Sequence, residues 1–153
     1  MELFTIKANN ISSYNVSVEV TDKVMTIINS NNNNRLLLYK EEYFSKEMTE
    51  SFVEYIVEFF TQHRHFEADE TNQILEYIHL ILDDKVLSFE FFLDGKRRFG
   101  GEIKESDLNK LSVSFLSDKY GYINEYLLQF DYEIYSWSGK YNTGFRRVSD
   151  LKE

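Results

Sequence analysis

His63 and His65, with Glu67 and Asp69 just beyond them, bring together side chains that ligate metals. Imidazole nitrogens and carboxylate oxygens hold zinc when three or four of them converge on one point. Two histidines at i and i+2 converge only on a strand or an irregular loop, and the periodicity read below puts these two just past a helix. No third ligand stands at a recognised spacing, so the stretch reads as a polar connection, and no metal or other cofactor is expected. His79 flanks an apolar stripe and reads as a packed or half-exposed helix residue. The chain has no cysteine, which removes thiolate nucleophiles, disulfides and zinc–sulfur sites. A serine nucleophile would need a histidine and an orienting carboxylate, and no serine here sits in a Gly-x-Ser-x-Gly elbow. Asp94-Gly95 and Gly100-Gly101 read as a turn and a bulge, with no glycine-rich phosphate loop. Glu41-Glu42 and Asp83-Asp84 are adjacent carboxylates at element ends, where solvation accounts for them. These absences lead to the expectation that the chain is not an enzyme.

Charge is where the sequence departs from an ordinary surface. The net charge is −9 over 153 residues. Residues 41–84 hold twelve acidic groups against Lys46 and Arg64, a net of −10. Residues 1–40 stand at +1, and residues 85–153 carry eleven groups of each sign. Such a segment repels nucleic-acid phosphates and attracts a basic partner. Arg97-Arg98 and Arg146-Arg147 lie in the neutral stretch and read as cross-strand salt bridging, so no nucleic-acid partner is expected.

The elements that position these groups follow from periodicity. Glu2–Lys7 and Tyr14–Val20 alternate as strands, Val24–Ile28 fits either a strand or helical turns, and Asn31–Asn34 is a polar loop before a buried strand at Leu36–Tyr39. Met48, Phe52, Tyr55, Ile56, Phe59 and Phe60 recur at helical spacing, which predicts a helix over Lys46–Gln62 capped by Ser45. A second helix is predicted over Glu70–Leu82, the two packing as an antiparallel pair across the His63–Asp69 connection. The period then changes to two. Leu87, Phe89, Phe91 and Leu93 alternate up to Asp94-Gly95, a hairpin signal because a type I′ turn needs positive φ twice. Lys96–Ile103 returns, Ser106–Leu111 reads as a short helix capped by Ser106, and Ser112–Leu116 as a strand. Tyr122–Phe130 reads as strand or helix, the alternation from Leu128 runs through Trp137, and Phe145–Val148 reads as a short strand. One domain over 1–153 is expected, of α+β class: a mostly antiparallel sheet with a pair of helices on one face.

On the first predicted helix, Glu47, Glu50, Glu54 and Glu58 fall within an arc of about 80°, opposite Phe52, Ile56 and Phe59. Like charges at i, i+4 destabilise an isolated helix by tenths of a kcal/mol each, and only Lys46 relieves them. Glu50, Glu54, Glu58, Asp69 and Glu70 are therefore the candidate contacts for a basic partner. Tyr132, Tyr135, Trp137, Tyr141 and Phe145 crowd the C-terminal region. Core packing is the commoner fate of such residues. Tyr135 and Trp137 are the candidate anchors among those left outside, because Tyr and Trp dominate interface hot spots.

A small, acidic, cysteine-free chain with no catalytic signature and one concentrated negative segment resembles, in overall character, the bacterial immunity proteins of toxin–immunity systems. The resemblance carries no motif and transfers no residue role. It implies a cytoplasmic protein that masks a cognate toxin, often a basic nuclease. An adaptor for a basic protein, or a small hydrolase or sugar-binding enzyme using the aromatic region, are the alternatives. The start MELFTIKANN has neither the basic nor the apolar region of a secretory signal, and no apolar run approaches the roughly 18–20 residues of a membrane helix. A cytoplasmic location with no membrane partner is therefore expected.

Overall fold

The computed structural model describes residues 11–152. The strand expected at Glu2–Lys7 lies outside the described residues. The protein is α+β, with two antiparallel sheets. The chain divides into two compact units between Leu82 and Asp83.

Among the described residues, the first unit is a five-stranded meander followed by one helix. Strands β1 (Val16–Val20), β2 (Val24–Asn29), β3 (Arg35–Ser45), β4 (Glu50–Phe59) and β5 (Gln62–Glu67) pair each with the next, and α1 (Thr71–Leu82) follows. The asparagine tract makes the β2–β3 turn. Asn33 takes a φ of 63°, the left-handed region that Asn tolerates better than most residues. Asn29 Oδ1 accepts the Asn31 amide at 2.9 Å, and Asn32 Oδ1 accepts the Asn34 amide at 2.9 Å. Met25, Ile27, Leu36, Leu38, Val57 and Phe59 are in register across β2, β3 and β4 and are all buried. On the same sheet face, β5 contributes Gln62, Arg64 and Phe66, which meet α1. Gln62 Nε2 donates to the Tyr77 hydroxyl at 3.1 Å, and the Arg64 guanidinium lies 4.7 Å above the Tyr77 ring. Ile74, Ile78 and Ile81 are the buried stripe of α1, as its spacing predicts.

The helix predicted at Lys46–Gln62 is absent, and with it the antiparallel helix pair. That segment is the turn after β3, then β4, then the start of β5. Val53, Tyr55, Val57 and Phe59 alternate, and this period of two competes with the helical spacing of Phe52, Ile56 and Phe59. A segment this rich in β-branched and aromatic residues, paired on both sides, settles as a strand. His63–Glu67 is likewise strand where a polar connection is expected.

In the second unit, β6 (Val86–Leu93) and β7 (Lys96–Lys104) form the expected hairpin, with φ of 52° at Asp94 and 77° at Gly95. A 3₁₀ turn (Glu105–Lys110), α2 (Val113–Tyr120), α3 (Asn124–Leu127), β8 (Asp131–Tyr135), the two-residue β9 (Arg146–Arg147) and a closing 3₁₀ turn (Val148–Asp150) complete it, in sheet order β7-β6-β8-β9. Ser106 caps nothing here; the residue before the 3₁₀ turn is Lys104, without a side-chain cap. The strand read at Ser112–Leu116 is helix. The Ser112 hydroxyl accepts the Phe115 amide at 3.0 Å, and Gly121 at φ 79° ends α2 in a left-handed cap. Leu87, Phe89 and Phe91 on β6 pack with Ile103, Val113, Leu116, Leu127, Phe130, Tyr132 and Ile134 as one core. The bulge read at Gly100-Gly101 falls instead at Arg98, where the register passes from Phe91↔Phe99 to Phe92↔Arg97.

Candidate functional site: the acidic face of the meander

The face of the meander opposite α1 carries the acidic residues. Strand alternation puts Glu50, Phe52, Glu54, Ile56 and Glu58 of β4 on it, with Tyr39, Glu41 and Tyr43 of β3 and His63, His65 and Glu67 of β5. The register then builds the same polar arrangement twice. His63 Nε2 lies 2.6 Å from Glu58 Oε1, and the Tyr39 hydroxyl donates to that oxygen at 3.5 Å. Four residues back along β4, His65 Nδ1 lies 2.8 Å from Glu54 Oε2, and the Tyr43 hydroxyl donates to Glu54 Oε1 at 2.9 Å. Each glutamate is held between a tyrosine from β3 and a histidine from β5. Ile56 lies between the two sets, opposite Tyr39 and His65, and is only 2% exposed.

Electrostatics follows this geometry. The His65 ring, then the Tyr43 hydroxyl, hold the Glu54 carboxyl below the ordinary carboxylate range. The same Glu54 bond pushes the Tyr43 hydroxyl up, while burial and then the Glu58 charge push Tyr39 up. Glu41, Glu54 and Glu67 stand directly opposite one another across three strands. Like charges in direct cross-strand opposition oppose pairing by about 0.2–1 kcal/mol each. The described sheet thus tolerates a row of repulsion that a single lysine would remove.

Glu54 and Glu58 are four residues apart on one strand, roughly 13 Å at the usual rise. Carboxylates that act together on a glycosidic bond lie about 5–9.5 Å apart, a spacing that Glu54 and Glu58 exceed and that the cross-strand row Glu41–Glu54–Glu67 approaches. His63 and His65 do share a strand face, the geometry that lets i, i+2 histidines converge, but each is engaged by a different glutamate. Among the described residues no three His, Asp or Glu side chains group as a metal site.

The structure puts Glu50, Glu54 and Glu58 on this one face of the meander. Asp69 is exposed in the turn between β5 and α1, and Glu70 turns its carboxylate back to accept the Glu67 amide at 2.8 Å. Trp137 is 4% exposed, too buried to anchor a partner as it stands, and Tyr135 is half-buried on β8 opposite Ser88. The sequence reading missed Tyr39, Glu41, Tyr43, His63, His65 and Glu67 as members of the face. The alternation of Val53, Tyr55, Val57 and Phe59 was the signal that would have found them. Among the described residues no helix is long and apolar enough to cross a membrane. Comparison with protein-family models, curated proteins and solved structures finds no match.

One pH dependence follows directly. Glu54 favours its ionised form in the fold, so its contribution to stability is fully present above the ordinary carboxylate value. It is lost as pH falls through the lowered one. Wild type should therefore lose more of its urea midpoint between about pH 6 and about pH 3 than Tyr43→Phe/His65→Ala, which lacks both bonds. Equal losses by circular dichroism would show that neither bond holds the carboxylate.

Proposed function

We propose that the chain is a non-catalytic cytoplasmic binding protein that covers a basic partner with the acidic face of its meander, as an immunity protein masks a basic toxin. The row Glu41–Glu54–Glu67, with Glu50 and Glu58 on the same face, carries this reading. Self-repulsion held in place by tyrosine and histidine bonds is relieved when cations arrive. Complementary charge speeds encounter by about 10–10³-fold and suppresses wrong partners. The absence of cysteine and of a recognised nucleophile motif supports an inhibitor over a hydrolase.

The test is charge reversal at sites that do not hold the face together. Glu54 and Glu58 each carry a histidine and a tyrosine bond, so the better variant is Glu41→Lys/Glu50→Lys/Glu67→Lys. It puts lysines on both sides of Glu54 and adds no buried charge. The partner to try is the product of the neighbouring reading frame, co-expressed for protection and purified for kinetics. Association should slow by about tenfold or more in the variant. The wild-type rate should fall as salt rises, since exposed charges act over about 8 Å at physiological salt. A variant that associates at the wild-type rate, with unchanged salt dependence, would reduce the face to a solvated surface.

A further inference from the structure

Strands β3 and β4 outrun their neighbours. β2 reaches β3 only as far as Tyr39, with one further bond from the Lys40 amide to Lys23, and β5 reaches β4 only from Glu54 onward. Residues 42–53 therefore form a two-stranded arm with no strand beside it among the described residues, paired only with itself from Glu42↔Val53 to Ser45↔Glu50. A lone two-stranded ribbon is marginal in water. This one is held by the Tyr43–Phe52 ring stack at 5.6 Å and by the Tyr43–Glu54 bond at its root. Two large apolar side chains at or beside its tip are uncovered: Phe44 is 57% exposed and Met48 59%. Between Lys40 and Glu54 the arm and its root carry five glutamates against two lysines, and Lys40 is taken by Glu42 at 3.1 Å.

We infer that this arm is the inserting element of the binding surface, and that its occupant is a protein cleft with an apolar floor and a basic rim. Phe44 and Met48 fill the floor, while Glu41, Glu42, Glu47 and Glu50 meet the rim. The inference rests on the acidic-face reading and deepens it, replacing Trp137 and Tyr135 as the hydrophobic anchors. Charge selects the occupant. A second copy would set this net negative arm against itself, and an anionic lipid surface would repel it, whereas a lysine- or arginine-lined cleft gains on both counts. Rigid aromatic and methionine anchors ringed by polar groups are the make-up of interface centres.

Two labelled octapeptides serve as probes, one alternating lysine and glycine, the other alternating lysine and leucine. The leucine peptide should bind about tenfold tighter than the glycine peptide of equal charge, the worth of roughly 1.4 kcal/mol of apolar contact. Phe44→Ser/Met48→Ser should abolish that difference and leave the glycine peptide's affinity unchanged. Replacing residues 43–52 by Asn-Gly, which closes the hairpin between Glu42 and Val53, should also abolish the leucine preference, while weakening both peptides through the loss of Glu47 and Glu50, and guards against a side effect of serine at the tip. If the variants keep the tenfold preference, the arm is not the anchor, although the acidic face stands. If Glu41→Lys/Glu50→Lys/Glu67→Lys leaves the glycine peptide's binding unchanged, or neither peptide binds, the acidic-face reading fails with it. A wild-type dimer on sedimentation that the serine variant turns into monomer would assign the tip to a second copy and overturn the inference.

Discussion

Phe89→Ala should cost the second unit about 3–5 kcal/mol, a large share of the stability of a unit this size. Phe89 is fully buried at the centre of β6. Its ring lies 4.9 Å from that of Phe91, 5.0 Å from Tyr132 and 5.9 Å from Tyr120, so it joins the strand to its neighbour β8 and to α2. Removing it deletes those contacts and leaves a cavity that rigid strands cannot close. Phe99→Ala is the control: that ring is half-buried at the edge of the same cluster and should cost clearly less. Trp137 is the only tryptophan and lies in this unit, so its fluorescence through a urea titration reports the right transition. A loss below about 1 kcal/mol for Phe89→Ala would mean that the core does not close around this ring.

The same residues show why part of the fold is legible in the sequence and part is not. β6 and β7 could be read because Leu87, Phe89, Phe91 and Leu93 alternate up to an Asp-Gly turn, and no helical register fits them as well. α1 could be read because Ile74, Ile78 and Ile81 recur at the helical period with no competing alternation. β4 offers both periods at once. Its apolar set satisfies i, i+4, i+7 through Phe52, Ile56 and Phe59, and period two through Val53, Tyr55, Val57 and Phe59. What decides between them is the pairing of β3 with β4 and of β4 with β5, a non-local term that no window of one segment contains. One local sign pointed the right way: glutamates at 50, 54 and 58 repel along a helix, whereas on a strand they stand roughly 13 Å apart.

That error left the core of the acidic site intact, for a geometric reason. A spacing of four returns to the same side of a helix and also to the same side of a strand. Glu50, Glu54 and Glu58 share a face under either assignment. Their surroundings change completely. On a helix, Phe52 and Ile56 would lie opposite them. On β4 they share the glutamates' face, and His63 and His65 come from the next strand as partners. The histidines read as a polar connection only because the strand beside them reads as a helix in the sequence. The arm, too, was hidden, because its tip was assigned to a helix start.

The glycines of β7 give the last expected result. Gly100-Gly101 looks like a bulge in the sequence, yet the extra residue is Arg98, and both glycines stay in register with β6. Their role is close approach. A Cβ built on Gly100 would come 2.6 Å from the Phe89 carbonyl oxygen and 3.2 Å from the Glu90 Cα, both backbone atoms. A Cβ on Gly101 would come 2.9 Å from the Tyr120 ring. Backbone of a strand buried from Val86 to Phe91 and paired on both sides cannot step aside without breaking ladder bonds to β8. Gly100→Ala should therefore cost about 2–3 kcal/mol, at the upper part of the overpacking range. Gly101→Ala meets a side chain instead. The Tyr120 ring can tilt, at the risk of its 3.0 Å bond to the Glu102 carbonyl, so the loss there should be nearer 1 kcal/mol. Urea midpoints followed by Trp137 fluorescence should rank wild type above Gly101→Ala and Gly101→Ala above Gly100→Ala. The reverse order would mean that β7 is free to move off β6 and that the aromatic cluster under α2, rather than the hairpin backbone, is the rigid part of the unit.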